Sequence, residues 1–423
     1  MGILIREGHV INPATGLDEV LDVRIEDGKV KEMGKDLQSD TADECIDASG
    51  CYVFPGFIDL HVHLRDPGLT QKEDIFTGSA AAARGGYTTI VAMPNTSPVA
   101  DNPEVIRYVH DKAAQAGLVN VLQVGSVTKG MEGKELSDLE GMVDAGIRAI
   151  SEDGKSVMNS GLYREAMKIA AKKDLVVLAH CEDINLVQGG VINMGEKSEE
   201  LGVPGISNAV ENIIEARDIM LAEETGACID IQHISSKEAV ELVRQAKKRC
   251  SNIHAEATPH HFTLTEDAVI KYGTLAKMNP PLREEEDRQA VIRGLVDGTI
   301  DMIATDHAPH TAEEKAKSIT EAPSGITGLE TSLALGITEL VDAGYLTMKQ
   351  LLRLMSTNPA AMYHLDAGYL AEGGPADVIL IDTAAEFIPE QYASKATNTP
   401  FTGWKLKGEV KKTICGGKMV YEA

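Results

Sequence analysis

From residue 55 onward the chain repeats one unit, a short apolar run rich in β-branched residues followed by a longer stretch of helical period. Apolar alternation with period two marks strands, and recurrence near 3.6 marks helices. Eight such runs occur, at residues 55–63, 88–95, 120–127, 146–153, 175–183, 228–235, 252–261 and 301–310. Between them, segments such as 72–84, 161–173, 207–225 and 236–249 place Ala, Leu, Glu and Lys in amphipathic order, as helices do when one face lies on a sheet. Parallel strands joined by helices bury both faces of their sheet, and eight of them close a barrel. The expected fold class is therefore α/β, a (β/α)8 TIM barrel.

The two ends of the chain do not follow the repeat. Residues 1–54 and the tail from about 370 read as short strands separated by Gly and Asn turns, as in GHVINPATG and GEVKKTICGGKMVYEA. Each is too short to bury a core alone. They are expected to pair into one small discontinuous β-domain, with 1–54 its N-terminal part, 55–365 the barrel and 366–423 its C-terminal part. The polar stretch 309–323, PHTAEEKAKSITEAP, follows the last strand and reads equally as a solvated loop or a mobile substrate lid.

Charge narrows the class of partner. With 65 acidic against 40 basic side chains, the formal net charge is -25. Nucleic-acid binding needs a basic face that releases counterions, and none is present. The opening MGILIREGHV has no signal-peptide core, and no apolar run reaches the roughly 18 residues of a membrane helix. A cytoplasmic protein without membrane association is expected. The six cysteines are scattered without a CxxC pair, which argues against a disulfide framework or a cysteine-rich zinc site.

Chemistry gathers at the carboxyl ends of the expected strands, where barrel enzymes build their sites. His61 and His63 lie two apart, on one side of the first strand. His180 and His233 end the fifth and sixth strands, Asp153 ends the fourth and Asp306 the eighth. Imidazole and carboxylate donors suit zinc or a similar divalent ion. Six candidates exceed the three protein ligands of a simple catalytic zinc site, which favours a two-metal centre. Arg65 reads either as a carboxylate-binding guanidinium or as a surface ion pair with Asp66 or Asp74. Asn95 reads either as a turn residue or as a substrate-binding amide. His260 and His261 are not expected to be ligands, and His307 is expected to pack.

The runs PGFIDLHVHLRDPG, MPNTSPV, SEDG, AHCED, QHIS, EATPHHF, MNPPLR and ATDHAPHT together resemble the dihydroorotase family of the amidohydrolase superfamily, in its bacterial class I form. The resemblance spans nearly the whole chain. It implies two zinc ions, with His61 and His63 on one, His180 and His233 on the other, and Asp153 between them. Asp306 would complete the first ion's ligands and act as catalytic acid/base toward a hydroxide held between the metals. It further implies substrate binding by His63, Arg65, Asn95, Asn279 and His310, with Ser324 and Gly325 where the family usually carries Phe-Gly. The implied reaction is reversible hydrolysis of the small-molecule substrate (S)-dihydroorotate to N-carbamoyl-L-aspartate in pyrimidine biosynthesis, by a homodimer, with aspartate transcarbamoylase as a further partner. Hydantoinases and allantoinases on the same barrel carry a metal-bridging lysine on the fourth strand. Ser151 stands there instead, and Lys155 lies beyond the strand end. A cyclic amidohydrolase of that other type and a non-catalytic scaffold for aspartate transcarbamoylase are the alternatives. Retention of all six candidate ligands argues against the scaffold.

Overall fold

The computed structural model describes residues 2–39 and 44–423. Residues 1 and 40–43, within the expected N-terminal β-segment, lie outside the described residues. The eight runs become the strands Phe57–Val62, Tyr87–Ala92, Asn120–Gln123 continued by Gly125–Ser126, Ala149–Ser151, Val176–Ala179, Cys228–Ile231, Ile253–Ala257 and Met302–Ile303. Ladder pairs between neighbours are parallel. The third strand breaks at Val124, so its first half pairs with the second strand and its second half with the fourth. A parallel bridge from Val62 to His307 closes the circle, and the His63 N–H donates to the His307 carbonyl at 2.8 Å.

Alternation along the strands decides what faces where. Ile90, Ala92, Val177, Ala179, Ile229 and Ile231 join the core beneath the helices. Their neighbours Val91, Met93, Val176 and Leu178 form a separate cluster with Ile58, Leu60 and Met302, closed off by Met362 and Tyr363. The intervening positions on the sixth and seventh strands are Asp230 and Glu256, both fully buried. The helices begin where their caps dictate. Asp74 accepts from the Thr77 N–H and starts Ile75–Arg84, and Ser236 does the same through Ala239 for Lys237–Lys247.

The strands are shorter than the runs that announced them. Beyond each strand end the chain leaves the ladder and turns side chains toward the barrel mouth. Arg65, His233 and Asp306 take left-handed backbone there, with φ of 59°, 37° and 48°, a conformation no ladder position accommodates. The run 252–261 divides in two. Its strand stops at Ala257, Thr258 caps the helix Pro259–Thr263, and His260 and His261 therefore sit on a helix.

Both ends of the chain build one eight-stranded sheet. Tyr52–Pro55 lies between the parallel strand Ile3–Asn12 and the antiparallel strand Val378–Phe387, with Phe54 opposite Ile379. Leu17–Glu26 and Lys29–Gly34 extend one edge, and Leu406–Cys415 and Lys418–Glu422 extend the other. Its core of Ile5, Val10, Val23, Val53, Val378 and Leu380 is separate from that of the barrel.

The stretch after the last strand is only partly a solvated loop. It contains the short helix Ala312–Lys315, held by a capping box between Thr311 and Glu314. Lys315 is buried and its ammonium donates to the carbonyls of Pro323 and Gly325, each at 3.0 Å. Lys277 reaches the carbonyls of Ile319 and Ala322, each at 2.6 Å. Two lysines thus tie the segment down from its inner side. Among the described residues, no helix is long and apolar enough to cross a membrane.

Candidate metal centre and substrate pocket

Asp153 is the hub of the barrel mouth. Its N–H donates to the Ser151 hydroxyl at 3.1 Å, and that hydroxyl donates to the Leu178 carbonyl at 2.9 Å, which aims the carboxylate inward. Asp153 Oδ1 lies 3.3 Å from His61 Nε2, 3.3 Å from His180 Nδ1 and 3.8 Å from His233 Nε2. Its other oxygen lies 3.4 Å from His63 Nε2. Asp306 Oδ1 lies 3.1 Å from His63 Nε2 and 3.5 Å from His61 Nε2. One carboxylate therefore faces four imidazoles, and a second faces two of them.

Among the described residues, two groups have ligand atoms within 4.8 Å of one another, His61 with Asp153 and His233, and His61 with His63 and Asp306. His61 belongs to both, where the family resemblance pairs it with His63. His180 lies outside these groups but its Nδ1 is 2.8 Å from His233 Nε2.

The electrostatics call for a cation. Burial alone would lift the Asp153 carboxyl, but His61, His180 and His233 outweigh it and hold it well below the usual range. Asp306 is lowered in the same way, by His61 and His63 against burial. Burial opposes charge on His61, yet Asp153 and Asp306 push it well above the ordinary histidine value. His61 Nε2 is nevertheless buried with no hydrogen-bond partner. An orphaned imidazole nitrogen beside two carboxylates is costly by itself and is the arrangement of a metal ligand. The residues present fit a divalent ion of the zinc type.

Above this floor lies a cavity of about 220 Å³, lined by His63, Arg65, Asn95, Asp153, Gly154, His180, Asn279, Asp306, Ala308, His310, Ser324 and Gly325. It is smaller than the roughly 300–1,000 Å³ of pockets for drug-sized ligands. His61 and His233 lie beneath it, and the other sequence-derived candidates reach its wall. Arg65 is buried and is not engaged by either acid proposed for it, because Asp66 pairs with Lys112 at 2.6 Å and Asp74 with Lys395 at 2.5 Å. Its Nε donates to the Pro309 carbonyl at 3.2 Å, and burial lowers its pKa to about 10. Asn95 Oδ1 accepts from His63 Nδ1 at 2.9 Å, so this amide steadies a candidate ligand.

His310 donates from Nε2 to the Ser324 carbonyl at 2.8 Å. Burial, with Arg65, Lys72 and Lys315 nearby, drives its pKa down to about 3 and keeps it neutral. Ser324 thus contributes its backbone. Gly325 has a φ of 121°, and a Cβ there would lie 2.6 Å from that of Ala308 and 3.3 Å from His310 Nε2. The position needs glycine. His261 is held by Thr258 at 2.8 Å and the Pro280 carbonyl at 3.1 Å, and His307 accepts from the Gly328 N–H at 3.2 Å. Lys155 points away from the centre and donates to the Met131 carbonyl at 3.1 Å.

The sequence reading overlooked four residues. Glu256 accepts from His61 Nδ1 at 2.8 Å, and Asp59 accepts from the His61 and Thr305 N–H groups, each at 3.1 Å. Glu182 accepts from Asn279 Nδ2 at 2.9 Å and lies 3.6 Å from His180. Asn398, far along the chain, accepts from the His310 N–H at 3.0 Å and donates to the carbonyls of Ala308 and Gly325.

Residues 50–239 match the family described as Dihydro-orotase-like. The chain is 50% identical to a dihydroorotase of Clostridioides difficile over 421 residues, covering 100% of both chains. It is 48% identical to a dihydroorotase of Clostridium acetobutylicum, covering 99% of each. The chain belongs to the dihydroorotase family. It is accordingly an enzyme of the cyclic amidohydrolase kind. Among solved structures it is similar to an L-hydantoinase (dihydropyrimidinase) from Arthrobacter aurescens, with 27% identity, a TM-score of 0.89, and coverage of 99% of this chain and 96% of the other. Dihydroorotase-family sequence and hydantoinase-like shape thus coincide in one chain. At the end of the fourth strand Ser151 braces Asp153, while Lys155 turns away from the centre.

Proposed function

We propose that the chain catalyses reversible hydrolysis of the cyclic amide of (S)-dihydroorotate to N-carbamoyl-L-aspartate. The observation that carries this reading is the opposition, across one small cavity, of a histidine–carboxylate cluster and the buried Arg65 guanidinium. Arg65 takes the substrate carboxylate through paired N–H groups, a geometry that lysine does not offer. Asn95, Asn279 and neutral His310 border the ring and orient its amide toward Asp153 and Asp306. Gly325 lets the backbone approach the ring closely. Zinc ions held by His61, His63, Asp153, His180, His233 and Asp306 would lower the pKa of water and polarise the ring carbonyl. Asp306, ionised and 3.1 Å from His63, accepts the proton of the attacking water and passes it to the departing ring nitrogen. Ring closure reverses the same transfers.

The proposal extends to two zinc ions per subunit, a cytoplasmic homodimer, and aspartate transcarbamoylase as a candidate partner. Metal analysis and hydrolysis assays on the same sample test its core. Dihydroorotate is expected to turn over while hydantoin and allantoin do not, and preference for either of those two would overturn the assignment. Sedimentation with and without the transcarbamoylase tests the assembly.

A further inference from the structure

Inside the barrel, one layer below the candidate metal centre, two fully buried acids follow each other on adjacent strands. Asp230 lies on Cys228–Ile231 and Glu256 on Ile253–Ala257, with Asp230 paired to His254 across the ladder. Glu256 Oε1 lies 2.8 Å from His61 Nδ1, and the Gln232 amide lies 3.0 Å from the same nitrogen. His61 is fully buried and its other nitrogen, Nε2, stands between Asp153 and Asp306.

These contacts limit how the ring is protonated. A carboxylate accepts and does not donate, so the contact with Glu256 places a proton on Nδ1 and leaves the Nε2 lone pair directed at the centre. A protonated Nδ1 also turns the carbonyl oxygen of Gln232 toward it, because the two ends of an amide are interchangeable in shape. That choice gives a partner to Gln232 Oε1, which otherwise has none. Packing fixes the rest, since Glu256 has no exposed surface and cannot leave this contact for water.

We propose that Glu256 is a positioning residue for His61. It fixes the ring's tautomer and orientation and makes Nε2 a stronger ligand, without touching the substrate. Hydrogen bonding of a ligand histidine to a carboxylate acts in this way at metal sites, and its loss costs about 10–100-fold in affinity or activity. The inference rests on reading the cluster as a metal centre.

The test uses the full chain stripped of metal and titrated with zinc against a chromophoric chelator. In parallel, cobalt loading reports ligand geometry through its visible bands. Wild-type protein is expected to bind; failure to bind overturns the metal-centre reading itself. E256Q, which keeps the shape and loses the charge, is expected to bind zinc about 10–100-fold more weakly with an unchanged circular dichroism spectrum. E256D, which keeps the charge, is expected to recover part of that loss and to shift the cobalt bands, because its shorter reach turns the His61 ring. Zinc affinity in E256Q equal to wild type would overturn the proposal, as would better retention by Gln than by Asp, which is the order that packing alone predicts. Should E256Q not fold, unaltered cobalt bands in E256D overturn it alone.

Discussion

The two mouths of the barrel carry the same kinds of side chain and differ in what those side chains are already doing. At the N-terminal ends of the strands, a cavity of about 400 Å³ is lined in part by Asp174, Cys228, His254, Asp301 and His364. At the C-terminal ends the cavity is about 220 Å³. In the larger one, Asp301 already accepts from Lys247 and from the Ala255 N–H. His364 and Asp174 are exposed and 3.9 Å apart. In the smaller one the donors are buried and converge, and the described residues that group at ligand distance are found there. Neither volume nor composition separates a site from a hollow. Buried lone pairs aimed at a common point do.

The largest expected contrast between the mouths comes from the centre itself. Asp306→Ala is expected to lower kcat by about 10²–10⁴-fold, and chelation should abolish turnover until zinc is restored. Asp301→Ala at the opposite mouth should leave kcat/KM within about twofold, since Asp301 lies at the far ends of the strands from the converging donors and shares no partner with them. Equal losses in steady-state assays would remove the distinction between the two ends.

Arg65→Met sharpens the contrast in binding. Losing charge-assisted hydrogen bonds to a carboxylate is expected to cost about 1.5–3 kcal/mol in kcat/KM, chiefly through KM, with His254→Ala showing no such change. Gly325→Ala tests the pocket wall. Its left-handed backbone and the approach to Ala308 are expected to cost about 1–3 kcal/mol of stability, read by chemical denaturation.

The smallest effect concerns pH. His310 titrates near 3 in the folded chain because it is buried beside Arg65, Lys72 and Lys315, against about 6.5 when unfolded. The unfolded chain therefore gains a proton first as pH falls, and the stabilisation from neutral His310 is present above about 6.5 and lost progressively toward 3. His310→Gln should show a shallower decline in denaturation midpoint over that window. An identical slope would show that His310 does not carry this linkage.

The barrel was legible because strand and helix periods alternate eight times, and the main side chains of the site because they end those strands in dense motifs. Strand lengths were not, since the residues of 252–261 continue an apolar pattern while Thr258 caps a helix. Glu256 was hidden for a related reason. Between two alanines on a strand, a glutamate reads as readily outward as inward until the register with the neighbouring strands is known. Asn398 was hidden by distance, because its partners Ala308 and His310 come from the far side of the helices that precede the C-terminal sheet. The loop at 309–323 was legible only in part, because its charge pointed to solvent, where most of it lies, while Lys277 and Lys315 turn their ammonium groups inward to backbone carbonyls.

The sheet made from both ends also imposes an order in time. Phe54 pairs with Ile379, so the strand that leads into the barrel acquires its second neighbour only after the whole barrel sequence has been made. During vectorial synthesis the early strands wait with one edge open, and contacts of such long sequence separation form late. Closing that seam is therefore a completion step. A chain interrupted anywhere within the barrel leaves the edge of Tyr52–Pro55 exposed, and an open strand edge invites pairing with other chains.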